Sequence, residues 1–101
     1  VDFDFFGHQL SLHIGPVVQT QDTGHVGDHL VPMPHYGLVL PLEVWTALAG
    51  RLEEHQTDFI LAPLVRFKGE PGEQWTMFFR DPAGNAIEVK GFAESADVFA
   101  V

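Results

Sequence analysis

The chain of 101 residues contains no cysteine. This absence excludes disulfide bonds, thiolate nucleophiles and zinc-thiolate sites, so any metal site must use histidine and carboxylate ligands. Basic residues are also few, because five Lys and Arg stand against 14 Asp and Glu and the formal net charge is -9. Recognition of phosphate groups relies on clustered Lys and Arg, so the composition argues against nucleic acids and anionic membranes as partners.

Long hydrophobic runs are missing as well. No run approaches the roughly 18 consecutive apolar residues of a transmembrane helix, and no segment has the basic start of a signal peptide. The apolar fraction of 46%, with nine Phe and two Trp, is sufficient to build the core of one domain. The composition therefore predicts a soluble, cytoplasmic protein that binds a small molecule or another protein.

The first third of the chain divides into a hairpin and a loop. Two short runs of aromatic or alternating character, 2–6 and 8–14, meet at Gly7 and predict a tight β hairpin. The segment 15–34 is rich in Gly, Pro, Asp and His and has no clear periodicity. It is predicted to be a connecting loop, of a length that usually indicates function or mobility.

The rest of the chain changes between strand and helix patterns. HYGLVLP at 35–41 predicts a strand, and apolar residues at helical spacing predict a helix over 42–55. Strands are also predicted at 58–67, 74–80 and 86–92. Pro63 interrupts the first of these three strands and indicates an edge position or a bulge.

The beginning of the chain resembles the end of this segment of strand, helix and three strands. When DFFGHQLSLHI (4–14) is laid over DPAGNAIEVKG (81–91), Gly7 meets Gly84 and Ser11 meets Glu88. The turn and the alternation agree in phase, as in an internal repeat. The overlay predicts four parts: 1–14 as the last two strands of a truncated first βαβββ module, 15–34 as the connecting loop, 35–92 as a complete second module, and 93–101 as a tail.

PHYGLVLP at 34–41 and FFRDPAGNAIEVKGF at 78–92 resemble the two ends of a module of the vicinal oxygen chelate superfamily. This superfamily includes glyoxalases, bleomycin-resistance proteins and extradiol dioxygenases, and the chain is most similar to small predicted extradiol-type dioxygenases. The resemblance implies an α+β fold with a mixed curved sheet, a helix on its outer face and an incomplete first module. It also implies that His35 and Glu88 are metal ligands inside a cleft, with a third ligand on a strand of the other module.

Each candidate residue also has an ordinary explanation. A charged strand residue is usually exposed, and Glu88 with Lys90 can form a polar outer face. An imidazole and a carboxylate from adjacent strands can instead meet at one iron(II) and leave positions for substrate and dioxygen. His13 lies on the face that the overlay places in the cleft, where it is a candidate acid/base or substitute ligand. Tyr36 is predicted to point to the opposite face, towards the helix.

The leading hypothesis is a metal-dependent enzyme of extradiol-dioxygenase type that acts on a small catechol-like substrate, with Fe(II) or Mn(II) as the metal and Zn(II) or Ni(II) as alternatives. A lyase, isomerase or thiol transferase on the same scaffold is a second hypothesis. A metal-free drug-binding protein is a third, because one scaffold hosts many functions. A truncated first module would leave a sheet edge uncovered, which predicts a homodimer.

Overall fold

The computed structural model describes residues 1–100, which form two hairpins followed by a larger sheet with one helix. The elements in chain order are β1 (Asp2–Phe5), β2 (His8–Ser11), β3 (Gln21–Val26), β4 (His29–Met33), β5 (Tyr36–Pro41), α1 (Leu42–Glu54), β6 (Leu61–Arg66), β7 (Gln74–Arg80), β8 (Ala86–Phe92) and a short 3-10 helix (Ser95–Asp97). No helix in this described part is long and apolar enough to cross a membrane.

The main sheet has the strand order β5-β8-β7-β6. The first pair, β5 and β8, is parallel, and the other two pairs are antiparallel. A parallel neighbour of β5 requires a crossover connection, and α1 begins that crossover. The succession of strand, helix and three strands agrees with the prediction for 35–92. The predicted α+β fold with a mixed sheet and one helix is confirmed.

One side of this sheet packs against α1. Trp45 and Ala49 are buried on the inner face of the helix, as the helical spacing predicts. They form a core cluster with side chains from three strands: Leu40, Met77, Ile87 and Val89. The indole nitrogen of Trp45 donates a hydrogen bond of 2.9 Å to the carbonyl oxygen of Val89, which ties the helix to the central strand β8.

Pro63 lies both in an edge strand and at an irregularity of strand pairing, the two positions that the sequence indicated. The strand β6 that contains it forms one edge of the main sheet. Its pairing with β7 changes register between Leu61 and Leu64, on either side of the proline. Proline has no amide proton for a sheet hydrogen bond, so it is tolerated at edges and irregularities.

The first hairpin forms where the sequence predicts it. Phe6 and Gly7 connect β1 to β2, and both have positive φ angles of 53° and 87°, as a type I′ turn requires. The second strand ends at Ser11, three residues before the end of the predicted run, and Ile14 is fully exposed. The assignment of 1–14 to an incomplete first module stays a prediction.

The segment 15–34 is corrected by the structure, because it contains an antiparallel hairpin instead of a continuous loop. Strands β3 and β4 pair from Gln21 with Met33 to Val26 with His29. Val26 and Val31 are buried against Leu61 and Phe78 on the side of the main sheet away from α1. The sequence of this hairpin lacks the regular alternation of apolar and polar residues that predicts a strand.

Candidate functional site

The main sheet has a second face, away from α1. Because side chains alternate along a strand, the neighbours of Ile87 and Val89 on β8 point away from the helix. We call this second side the cleft face and define it by Ala86, Glu88 and Lys90 on β8 and by Thr76 and Phe78 on β7. The β3–β4 hairpin covers part of it, which leaves a partly enclosed region above Glu88.

His35 lies immediately before β5 and meets Glu88 on the cleft face. The Nε2 atom of His35 is 3.4 Å from Oε1 of Glu88, and the two side chains are 21% and 14% exposed. The imidazole packs edge-on against the ring of Phe78, with ring centres 4.9 Å apart. The two residues that the resemblance implies as ligands are therefore brought together in a sheltered position.

The second nitrogen of His35 defines the state of the ring. Nδ1 lies 2.8 Å from the carbonyl oxygen of Pro32, and a carbonyl oxygen only accepts hydrogen bonds. Nδ1 must therefore carry a proton and donate it, so in a neutral ring Nε2 presents a lone pair to the Glu88 carboxylate. A contact of 3.4 Å between these two atoms is favourable when the ring carries a second proton or when a metal cation lies between them.

Glu88 is held by a residue that the sequence analysis did not identify. The hydroxyl of Thr76 donates a hydrogen bond of 2.6 Å to Oε2 of Glu88, and Thr76 is fully buried. This bond occupies one carboxylate oxygen and leaves the other, Oε1, directed at His35. Thr76 stands as a single polar residue in the apolar run WTMFF, but its partner depends on strand register, which the sequence does not define.

Gly37 permits the close approach of β5 to β8. It pairs directly with Glu88, and a Cβ added at position 37 would lie 1.5 Å from the Glu88 carbonyl oxygen. No side chain fits at this distance, so only glycine can occupy the position. The contact places the start of β5, and with it His35, beside the Glu88 side chain.

Two cavities open on either side of the pair. A cavity of about 280 Å³ is lined by His35, Glu88, Lys90 and residues 36–39. A smaller one of about 170 Å³ is lined by His35, Tyr36 and Ala86, with residues before β3 and β5. His35 lines both cavities, so a ligand in either can reach its imidazole.

A larger cavity lies elsewhere and has a different chemistry. Its volume is about 620 Å³, and its wall includes Phe59, Phe79 and Asp81. The carboxylate of Asp81 accepts hydrogen bonds from the backbone and side-chain nitrogens of Asn85, both at 2.8 Å. The Asp81 carboxylate therefore serves the β7–β8 turn, and no histidine among residues 1–100 lines this larger cavity.

Tyr36 lies on the helix side of β5, as predicted. It pairs with Ile87, which faces α1, but its side chain also borders the cavities near His35. Burial, and secondarily the charge of Asp81, raise the pKa of Tyr36 above its ordinary value of 10.0. Like any phenol with a pKa of 10 or above, it is protonated at neutral pH and can donate a hydrogen bond.

The other predicted residues lie apart from this pair. His13 is exposed in the coil after β2 and lines neither cavity that His35 lines. His25 and His29 are exposed on the β3–β4 hairpin. Within residues 1–100, no group of three or more His, Cys, Asp or Glu side chains is placed to hold a metal ion. The described chain thus offers two ligands, His35 and Glu88.

These two residues fit a divalent cation. Bonds from such ions to imidazole nitrogen and carboxylate oxygen are about 2.0–2.2 Å long, so one ion can bridge donors separated by up to about 4 Å. The observed separation of 3.4 Å is within that span. Imidazole with carboxylate is a donor set that suits Fe(II), Mn(II), Zn(II) and Ni(II).

A search of solved structures finds a similar fold. The match is a glyoxalase/bleomycin resistance protein/dioxygenase from Alicyclobacillus acidocaldarius, with a TM-score of 0.71 and 23% sequence identity, over 97% of this chain and 70% of that chain. No protein-family model matches the chain, and no curated protein does. The fold of this chain is therefore similar to that of this glyoxalase/bleomycin resistance protein/dioxygenase, in agreement with the fold that the sequence resemblance implied. Fold alone does not define an activity.

Proposed function

We propose that the chain is a metal-dependent oxidoreductase of extradiol-dioxygenase type, with its reaction centre at His35 and Glu88. The single observation that carries the proposal is the separation of 3.4 Å between Nε2 of His35 and Oε1 of Glu88. Both atoms are acceptors when the histidine is neutral, and both side chains are fixed through their other polar atom. Such an arrangement supports a cation site better than an ordinary polar strand surface.

The chain's own residues have defined tasks in this proposal. His35 and Glu88 hold the metal, and the hydroxyl of Thr76 keeps Glu88 in position. The ring of Phe78 shields the imidazole from water on one side. A bound Fe(II) or Mn(II) would supply Lewis acidity and open positions for a substrate diol and dioxygen.

Proton transfer has a different candidate from the one that the sequence favours. His13 lines neither of the two cavities beside the pair, and its role in proton transfer stays a prediction. Tyr36 borders both cavities, and its phenol, with an ordinary pKa of 10.0 that burial raises further, is a donor at neutral pH. We assign it the role of a hydrogen-bond donor to a substrate oxygen, which orients the substrate.

A further protein ligand is required beyond these two, and we propose that a second copy of the chain supplies it. The strand β5 is an edge of the main sheet and lies beside the pair. Val39 on this strand is 46% exposed. We expect a homodimer whose dissociation constant decreases when Mn(II) is added, which light scattering after size-exclusion chromatography measures.

The decisive experiment is a titration of the dialysed protein with Mn(II), and with Fe(II) under anaerobic conditions. His35→Ala and Glu88→Gln should each lower the metal affinity by more than about 100-fold, beyond the loss that follows removal of an outer hydrogen-bond partner. His13→Ala is the matched control and should bind as the wild type does. Equal affinity in all four proteins would exclude the pair as ligands.

Oxygen uptake with a panel of catechols then tests the reaction. Uptake that depends on both His35 and Glu88 supports the dioxygenase. Metal binding without uptake favours a lyase, isomerase or thiol transferase on the same scaffold, whereas absence of any bound metal favours a metal-free drug-binding protein.

A further inference from the structure

Lys90 shares the cleft face and the cavity with the proposed metal ligands. It follows Glu88 by two residues on β8 and therefore points to the same side of the strand. The cavity of about 280 Å³ is lined by Lys90 together with His35 and Glu88. Lys90 is only partly exposed and forms part of the wall of this cavity.

The ammonium group of Lys90 has no partner among the described residues. The close contact between a basic and an acidic side chain in residues 1–100 joins His35 to Glu88 and does not include Lys90, and no side-chain hydrogen bond involves it. Arg80 shows the contrast, because its guanidinium donates to the carbonyl oxygen of Gly84 and to the hydroxyl of Thr20. In a chain of net charge -9 with five basic residues, a sheltered and unpaired cation beside a cavity is available for an anionic ligand.

Residues 36–39 of β5 form the other side of this cavity. Val39 pairs with Lys90 across the β5–β8 ladder, and it is followed towards His35 by Leu38 and Gly37. A volume of about 280 Å³ lies just below the roughly 300–1,000 Å³ of sites for drug-sized ligands. The cavity therefore suits one small ring that lies along β5 and β8.

The spacing along β8 defines where the polar groups of such a ring lie. Residues two apart on one face of a strand are about 7 Å from each other. A ligand with hydroxyl groups at Glu88 and an anionic group at Lys90 spans this distance when the two ends lie on opposite sides of one aromatic ring.

We infer that Lys90 binds the carboxylate of the substrate, and that the substrate class is therefore a catechol with a carboxylate opposite its hydroxyl groups. The inference rests on the proposed function only for the part of the substrate that carries the two hydroxyl groups. Lysine provides a compact charge with three donors that form charge-assisted hydrogen bonds with a carboxylate. A neutral catechol fills the same cavity but leaves the ammonium group without a partner.

Calorimetric titration of the full chain with three probes tests this inference. The probes are 3,4-dihydroxybenzoate, catechol and benzoate, which carry both groups, the diol alone and the carboxylate alone. The wild type should bind 3,4-dihydroxybenzoate about tenfold more tightly than catechol, as one charge-assisted contact provides. Lys90→Met should abolish this preference and leave catechol binding unchanged. Lys90→Arg should retain the preference, and Lys68→Met, which removes a charge in an exposed turn, should behave as the wild type.

The outcomes separate the inference from the proposed function. Equal affinity of the wild type for 3,4-dihydroxybenzoate and catechol, or a preference that persists in Lys90→Met, overturns the role of Lys90 and leaves the dioxygenase proposal in place. Binding of 3,4-dihydroxybenzoate that depends on Lys90, without oxygen uptake, supports the inference and contradicts the dioxygenase. Failure of the wild type to bind any of the three probes overturns both. Circular dichroism of each variant confirms that the fold is intact.

Discussion

Gly37 lies against the backbone of Glu88, so that a Cβ at position 37 would be 1.5 Å from the Glu88 carbonyl oxygen and 2.6 Å from its carbonyl carbon. The two residues are directly paired in the parallel ladder of β5 and β8. Backbone atoms of a central strand cannot move aside as a flexible side chain can. The glycine thus couples the stability of the sheet to the position of the His35–Glu88 pair.

Replacing Gly37 by alanine should damage both properties. The added methyl group forces β5 away from β8, and overpacking of this kind costs about 1–3 kcal/mol or more. We expect the free energy of unfolding to fall by at least about 2 kcal/mol, measured by urea denaturation. Binding of Mn(II) should weaken in the same variant because His35 moves away from Glu88.

The matched control is Gly50→Ala in the middle of α1. A Cβ at position 50 meets nothing within 4 Å, and alanine is the better helix former by about 0.8–1.0 kcal/mol. This variant should therefore be more stable than the wild type and bind Mn(II) unchanged. A Gly37→Ala variant that is as stable as the wild type would show that the strands are not in the described contact.

Thr76→Val tests the support of Glu88. Valine has nearly the same shape but no hydroxyl, so Oε2 of Glu88 loses the 2.6 Å hydrogen bond. Loss of an outer partner of a ligand lowers metal affinity by about 10–100-fold, and calorimetric titration with Mn(II) measures this change. Thr76→Ser keeps the hydroxyl and should retain most of the affinity. If valine and serine variants bind equally, the hydrogen bond does not orient the carboxylate.

The sequence was informative where local pattern dictates structure. The helical spacing of Trp45 and Ala49 predicted α1 to within one residue. The turn residue Gly7 placed the turn of the first hairpin, although the second strand of that hairpin ends three residues earlier than predicted. The β3–β4 hairpin was missed because two buried valines, Val26 and Val31, hold it through distant contacts with another strand. Contacts of this kind leave no periodic signal in the segment itself.

The residues of the candidate site were likewise predictable only in part. The resemblance of the two motifs implied His35 and Glu88, and the fold brings them within 3.4 Å. Thr76 and Gly37 act through strand register, which places Thr76 opposite Lys90 and Gly37 opposite Glu88. Register depends on how whole strands pack, so no feature of the single sequence identified either residue.

Trp45→Phe tests the attachment of α1 to β8. The variant removes the buried hydrogen bond from the indole nitrogen to the Val89 carbonyl oxygen and leaves space beside Gly91, which has no room for a Cβ next to Trp45. The free energy of unfolding should fall by about 2–4 kcal/mol.

Trp75→Phe is the control, because Trp75 packs at the edge of the same core cluster and its indole donates no hydrogen bond among the described residues. It should cost less than about 1.5 kcal/mol. Equal losses would mean that ring volume, and not the hydrogen bond, holds the helix.

The turn between β7 and β8 should make stability depend on pH through Asp81. Burial raises the pKa of Asp81, but hydrogen bonds from the Asn85 side chain and from the backbone at Asn85, Ala83 and Gly84 outweigh it, so the pKa lies below its ordinary value of 3.8. A lowered pKa in the folded state favours the ionised form. Its contribution to stability is therefore complete above the pKa of the unfolded chain and is lost as the pH falls through the folded pKa.

Comparison of the wild type with Asp81→Asn between pH 7 and pH 2.5 measures this contribution. The wild type should be the more stable protein at pH 7, and the difference in the free energy of unfolding should shrink as the pH falls below about 4. Asn85→Ala keeps the Asp81 carboxylate but removes its side-chain donor. The free energy of unfolding of this variant should therefore depend less on pH than that of the wild type. A gap between wild type and Asp81→Asn that stays constant over the whole range would contradict the hydrogen-bonded carboxylate. Because this turn leads directly into β8, its weakening at low pH should also loosen the strand that carries Glu88.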